Sequence, residues 1–165
     1  MKQLKFCLVA LAMVIAQPAL PNEIIPGLVV GVSDGDTVTL LTQNKQQVKI
    51  RVQGIDAPER AQAFGQVARQ AMAKAVFQKN VEARCPSTDR YGRKICTIHV
   101  NGVDAGLQLL NQGLAWHYKQ YEREQPEQDR MAYAYAEEMA RSRRAGLWSD
   151  ANPQAPWDFR KSNPN

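Results

Sequence analysis

Five charged residues, Asp36, Arg51, Asp56, Glu59 and Arg93, interrupt a chain otherwise patterned for strands and helices. Asp34 and Asp36 flank Gly35 at a strand–turn–strand junction. Arg51 projects from the polar side of the alternating run Gln47 to Ile55, five residues ahead of Asp56, and Arg93 closes the loop Asp89-Arg90-Tyr91-Gly92-Arg93. Each alone is ordinary. Asp-Gly is a common turn dipeptide, and Pro58 with Glu59 suits a helix start. A charge on an alternating strand is normally its solvated face. Together they match one chemistry. A hard divalent cation takes carboxylate and carbonyl oxygens, which Asp36 and Asp56 can supply. Phosphodiester cleavage needs planar, bidentate cations on the phosphate, a role for Arg51 and Arg93. It also needs a carboxylate that takes or orients a water proton, for which Glu59 is available.

The elements that must position these groups follow from periodicity. Gly27 to Leu41 holds two β-rich runs parted by Ser33-Asp34-Gly35, and Val48, Ile50 and Val52 alternate with Lys49, Arg51 and Gln53. These runs predict an antiparallel meander that ends at Asp56-Ala57-Pro58-Glu59. Phe64, Val67, Ala68, Ala71, Met72, Ala75 and Val76 recur at three and four, the spacing of an amphipathic helix. Two more strands are expected at Val81 to Cys85 and Lys94 to Val100, a short helix at Val103 to Asn111, and a longer one at Gln128 to Arg144. The tail Asn152 to Asn165, rich in proline, reads as extended. The order of elements predicts an α+β domain with a mainly β core, a small barrel decorated with helices.

The 165 residues suffice for one domain, and 44% hydrophobic with 22% charged residues excludes collagen-like, coiled-coil and disordered chains. The net charge of +5 suits an anionic partner. Lys2, Lys5 and the apolar run Phe6 to Ala16 predict a signal peptide over 1–16, too short to span a bilayer that needs roughly 20 residues. Its loss removes two lysines, so +5 falls to +3, and it leaves no stable membrane anchor. The expected organisation is a leader over 17–27, a domain over 28–150 and a tail over 151–165, in an exported protein, periplasmic or secreted. Removal of Cys7 leaves Cys85 and Cys96 on two paired strands, as a disulfide or as two reduced, half-buried thiols. A zinc site with His99 lacks a fourth ligand. Val30 to Val38 also fits the strand plus Asp-x-Asp pattern of haloacid-dehalogenase-type phosphatases, but Asp36 is followed by more strand and no downstream acidic pair occurs. An EF-hand loop fails because Val38 falls on a ligand position.

Five strings share the order and spacing of the staphylococcal nuclease family, which this chain resembles from about Leu28 to Asp150. They are VSDGDTV at 32–38, RVQGIDAPE at 51–59, DRYGR at 89–93, NQGLA at 111–115 and GLWS at 146–149. The resemblance implies a five-stranded OB-fold β-barrel with three α-helices. It also implies a calcium-dependent, sugar-nonspecific endonuclease that hydrolyses DNA and RNA to 3′-phosphate products. Position by position, it implies Asp36, Asp56 and the Ala57 backbone carbonyl as calcium ligands, although Ala57 stands where the best-known member has threonine. Arg51 and Arg93 would hold the scissile phosphate, and Glu59 would act as general base or water-positioning group. Arg90, Tyr91, Tyr118 and Tyr121 are the candidate substrate contacts. The alternative is a non-catalytic OB-fold module that binds nucleic acid or protein; such modules typically lose several of the five charged positions, and here all five are present. No protein partner is implied, and a monomer is the default.

Overall fold

The alternation in Gln47–Val52 folds as expected, with Ile50 and Val52 buried and Lys49 exposed. The computed structural model of the protein describes residues 23–164. The expected signal at 1–16 and the start of the expected leader, 17–22, lie outside the described residues. The strands are β1 (Glu23–Val32), β2 (Thr37–Thr42), β3 (Gln47–Val52), β4 (Ile55–Asp56), β5 (Asn80–Thr88), β6 (Lys94–Val100), β7 (Val103–Asp104) and β8 (Trp116–His117). The helices are α1 (Gly65–Val76), α2 (Ala105–Asn111), α3 (Glu127–Ser142) and α4 (Pro156–Ser162), with 3-10 turns at Lys119–Glu124 and Gly146–Ser149.

Five long strands run in the order β3-β2-β1-β5-β6, and β6 returns to pair in parallel with β3, which closes the barrel. The closing register sets Arg51 opposite Ile95 and Val52 opposite Cys96. This is the expected five-stranded barrel, and closure leaves it no long free edge. The core joins Val29, Val38, Leu40, Ile50, Val52, Ala83 and Ile98 of the barrel to Met72 of α1, Leu109 and Leu110 of α2, and Tyr133 of α3. Burial and the nearby Asp104 carboxylate push the Tyr133 hydroxyl up, so it stays protonated. It donates to Asp104 Oδ2 at 2.6 Å, while Oδ1 of the same carboxylate caps α2 by accepting from Gly106 and Leu107.

Two expectations are corrected. The domain does not begin at 28, because Glu23–Leu28 already pair with β5 from Cys85 back to Asn80. Pairing with β2 starts only at Gly27, so Pro26 has a neighbour on one side, where a missing ladder donor is tolerated. The tail 151–165 is not wholly extended, since Pro156–Ser162 is helical and makes a fourth α-helix. Pro156 sits in the first turn, where its absent N–H would be unpaired anyway, and Asp158, Arg160 and Lys161 complement the helix dipole.

Cys85 and Cys96 form a disulfide across β5 and β6, beside the bulge between Arg84 and Ser87. By the loop-entropy estimate, reducing it lowers stability by about 3 kcal/mol. Urea unfolding with and without reductant measures the difference. Two free thiols in denatured, unreduced protein would contradict the bridge.

Candidate functional site

Asp34 Oδ1 accepts the Asp36 N–H at 3.0 Å and so tightens the β1–β2 turn. Gly35 lets that turn lie flat against Ala57 and α1. A Cβ there would stand 2.6 Å from the Ala57 Cβ and 2.9 Å from the Ala68 Cβ. The close approach delivers Asp36 to the β4 exit, where its Oδ2 accepts the Ala57 N–H at 2.7 Å. Across the ladder, Thr37 pairs with Arg51, which aims the Arg51 side chain at the same place.

Arg51 Nη1 donates to the Val52 carbonyl at 2.9 Å and the Ile55 carbonyl at 2.7 Å. Its Nη2 lies 2.8 Å from Asp56 Oδ1 and 3.2 Å from Asp36 Oδ2. One guanidinium therefore braces both carboxylates, and the Asp56 side chain is 1% exposed. Glu59 comes next, in a turn where its N–H donates to Gln62 Oε1 at 3.1 Å. A Cβ on Gly65 would stand 1.8 Å from the Glu59 carbonyl oxygen, so only glycine at the start of α1 permits this turn.

The structure brings Asp36, Arg51, Asp56, Ala57 and Glu59 to one rim, and it adds a residue that sequence reasoning missed. Arg160 of α4 places Nη2 2.9 Å from Asp56 Oδ2 and Nη1 3.2 Å from Asp56 Oδ1, with Nη1 also 2.8 Å from Glu59 Oε1. The available signal was Pro156 in a first turn with basic residues four and five positions later, which marks a short helix. Nothing in the sequence said where that helix docks.

Arg93 stands apart from this cluster. Its Nε donates to Asp89 Oδ2 at 2.7 Å, and no ion pair ties it to Asp36, Asp56 or Glu59 among the described residues. It precedes by two residues Ile95, the partner of Arg51, a step of about 7 Å along the strand. Tyr91, 69% exposed, has the guanidinium groups of Arg90 and Arg93 at 4.9 Å and 5.6 Å from its ring centre. Arg90 Nη2 also donates to the Tyr91 hydroxyl at 2.7 Å.

Tyr118 and Tyr121 meet edge to face at 5.0 Å, and Tyr118 also stacks on Trp157 of α4 at 5.6 Å and 8°. Burial and then the Asp56 charge push the Tyr118 hydroxyl up, in keeping with a place beside the carboxylates. Trp116, Tyr118, Lys119, Glu137, Arg141 and Trp157 line a cavity of about 230 Å³. Neither histidine joins the site. His99 bonds Thr97 Oγ1 at 3.0 Å within its strand, and His117 is buried against Gln125 Oε1 at 2.9 Å. Arg141 is also structural, stacked 3.9 Å over Trp148.

Among the described residues no three His, Cys, Asp or Glu side chains form a metal-binding group. A cation at this rim would draw on two carboxylates, the Ala57 carbonyl and water, a set of hard oxygen donors. The site's own charge balance agrees with such a guest, because burial leaves Asp36 short of positive charge despite Arg51.

The sequence model of the family described as "Staphylococcal nuclease homologue" matches residues 49–150. A protein from Haemophilus influenzae named "Uncharacterized endonuclease" is 39% identical over 133 residues, 81% of this chain and 71% of that one. "Micrococcal nuclease" of Shigella flexneri is 36% identical over 165 residues, covering 94% and 91% of the two chains. "Protein ParB" of Escherichia coli is 40% identical over 165 residues, covering 93% and 88%.

Burial pushes Asp36 up from 3.8 to about 7; Arg51 pulls it down, the Asp34 and Asp56 charges push it further up, and the Ala57 N–H pulls it down. Between those values the folded chain keeps a proton that the unfolded chain has released. Cation-free protein therefore loses stability as pH rises through that window. In chelator, the urea midpoint falls from about pH 4 to about pH 7, and Asp36→Asn removes the fall and is the more stable protein at the upper end. An equal slope in the variant would assign the effect to other groups.

Proposed function

This chain belongs to the staphylococcal nuclease family and is a nuclease, a phosphodiester hydrolase; from that premise we propose a calcium-dependent, sugar-nonspecific endonuclease acting on DNA and RNA. One observation carries the reading. A single guanidinium bridges two buried carboxylates at 2.8 and 3.2 Å, and a third carboxylate, Glu59, hangs on the same rim.

Asp36, Asp56 and the Ala57 carbonyl would hold calcium, which supplies neutralisation of phosphate charge as it builds. Arg51 Nε has no hydrogen bond to another described residue and is the donor left for a phosphate oxygen. Arg93 sits close to the same strand level and approaches from the β5–β6 loop, beside Tyr91 and Arg90. Glu59 takes or orients the proton of a water whose oxygen bonds to phosphorus. The bond from phosphorus to the 5′-oxygen breaks and that oxygen takes a proton from solvent water, leaving a 3′-phosphate and a 5′-hydroxyl. The exposed Tyr121 offers a ring face that accepts any base, and Tyr118 would add a second where Trp157 moves off it, which suits sequence-tolerant binding.

We further propose that the protein is exported after cleavage behind Ala16 and acts as a monomer. Lys2, Lys5 and the apolar run Phe6 to Ala16 support export, as does a disulfide, which suits an oxidising compartment. No described helix is long and apolar enough to cross a membrane. N-terminal sequencing of protein recovered outside the cytoplasm is expected to begin at Gln17. A chain that still begins at Met1 would remove the signal.

Purified mature protein is expected to cleave single-stranded DNA with calcium, to stop with chelator, and to leave 3′-phosphate ends. Glu59→Gln should lower kcat by about a hundredfold or more, the scale of general-base catalysis. Arg51→Lys should cost at least as much, because a point ammonium cannot replace a fork that serves carbonyls, carboxylates and phosphate together. Near-wild-type turnover in either variant would take that residue out of the mechanism.

A further inference from the structure

We propose that Arg160 is a built-in counter-cation: the C-terminal helix holds its guanidinium on the oxygens a divalent cation must take, and cation binding displaces it. The inference rests on the metal reading of Asp36 and Asp56 above.

Each carboxylate oxygen offers about two lone-pair directions. Asp56 Oδ1 receives Arg51 at 2.8 Å and Arg160 at 3.2 Å, and Oδ2 receives Arg160 at 2.9 Å. Three of the four directions are therefore occupied by nitrogen donors. A hard dication that approaches Asp56 meets two positive groups on the ligand it needs. One of the two must yield.

Arg51 is the fixed one. Its Nη1 is tied to the Val52 and Ile55 carbonyls of the barrel, and its side chain is 13% exposed. Arg160 is 43% exposed and reaches the site from a seven-residue helix near the chain end. That helix is tethered at its start, where Ala155 and Pro156 are buried and Gln62 Nε2 donates to the Gln154 carbonyl at 2.7 Å. Arg160 lies on its last turn, where a small tilt or a new rotamer removes the guanidinium without unfolding the barrel.

The charge count points the same way. With all three carboxylates ionised, the state a bound dication requires, Asp36, Asp56 and Glu59 carry three negative charges against the two positive charges of Arg51 and Arg160, a net −1. With a dication added and Arg160 removed, the same groups sum to zero; with Arg160 retained they sum to +1. The helix covers the substrate side as well. Trp157, three residues earlier and so on the same helix face, stacks on Tyr118. Arg160 and Trp157 together occupy the cation carboxylates and an aromatic platform.

Calcium titration by calorimetry on the mature full-length chain tests this, with Arg160→Gln beside wild type. The variant is expected to bind calcium about tenfold tighter, because binding no longer has to break the charge-assisted hydrogen bonds of Arg160 to Asp56 and Glu59. In wild type, calcium should also change the Trp157 emission, identified by its loss in Trp157→Phe, and this change should shrink in Arg160→Gln. Should Arg160→Gln fail to fold, Arg160→Lys keeps the charge but loses the fork and should show a smaller gain. If wild type binds calcium and cleaves DNA but neither variant binds it more tightly, the counter-cation role is overturned and the nuclease reading stands. If wild type neither binds calcium, magnesium or manganese nor cleaves with them, the metal reading falls and this inference falls with it.

Discussion

The burial of Arg51 against two carboxylates is the contact on which the site depends. Bringing Asp36 and Asp56 out of water toward each other is costly by desolvation and by repulsion, and removing either partner of such a group strands a charge. The Arg51 fork answers both costs, with one nitrogen on backbone carbonyls and the other on the two carboxylates. The compensation is incomplete at Asp36, where burial still raises the carboxyl. That residual deficit of positive charge is what the proposed cation would answer. A second guanidinium, from Arg160, pairs with the other two carboxylates of the rim, Asp56 and Glu59.

The barrel makes this arrangement possible by rigid registers. Thr37 opposite Arg51 on one side and Ile95 on the other leave the guanidinium no choice of height. Closure of β6 on β3 then brings the Arg90–Arg93 loop to the neighbouring strand end. Two glycines complete the placement. Gly35 admits Ala57 against the β1–β2 turn, and Gly65 admits the Glu59 carbonyl against the first turn of α1. Functional groups thus sit on loops and strand ends while a packed barrel holds the loops still, the usual division of labour between scaffold and site.

The rim is also where distant parts of the chain meet. The carboxylates come from residues 36 to 59, while Trp157 and Arg160 come from a segment about a hundred residues later in sequence. Sequence separation of that size carries no local signal. The tail's prolines suggested an extended strap, yet a proline at a helix start is as natural as one in an extended segment, and tertiary anchoring at Ala155 and Pro156 decided between them. Pro26 fits within β1 because a one-sided stretch of that strand tolerates what a central strand does not.

Features expressed in local period or fixed spacing were legible in the order of residues. The alternating runs specified the barrel strands, the three-and-four spacing specified α1, and the linked strings around Asp36, Arg51, Asp56 and Glu59 picked out residues that the fold brings to one rim, since each reads over a few residues. Cys85 and Cys96 were legible as a pair, but their bonding required β5 beside β6. Other features existed only once the chain had folded: Arg51 braces carboxylates, His117 is core, Arg93 bonds Asp89 instead of the central cluster, and α4 lies across the rim. These are matters of which surfaces meet after burial, and burial is set by the sum of all packing contacts, not by any stretch of residues read in order.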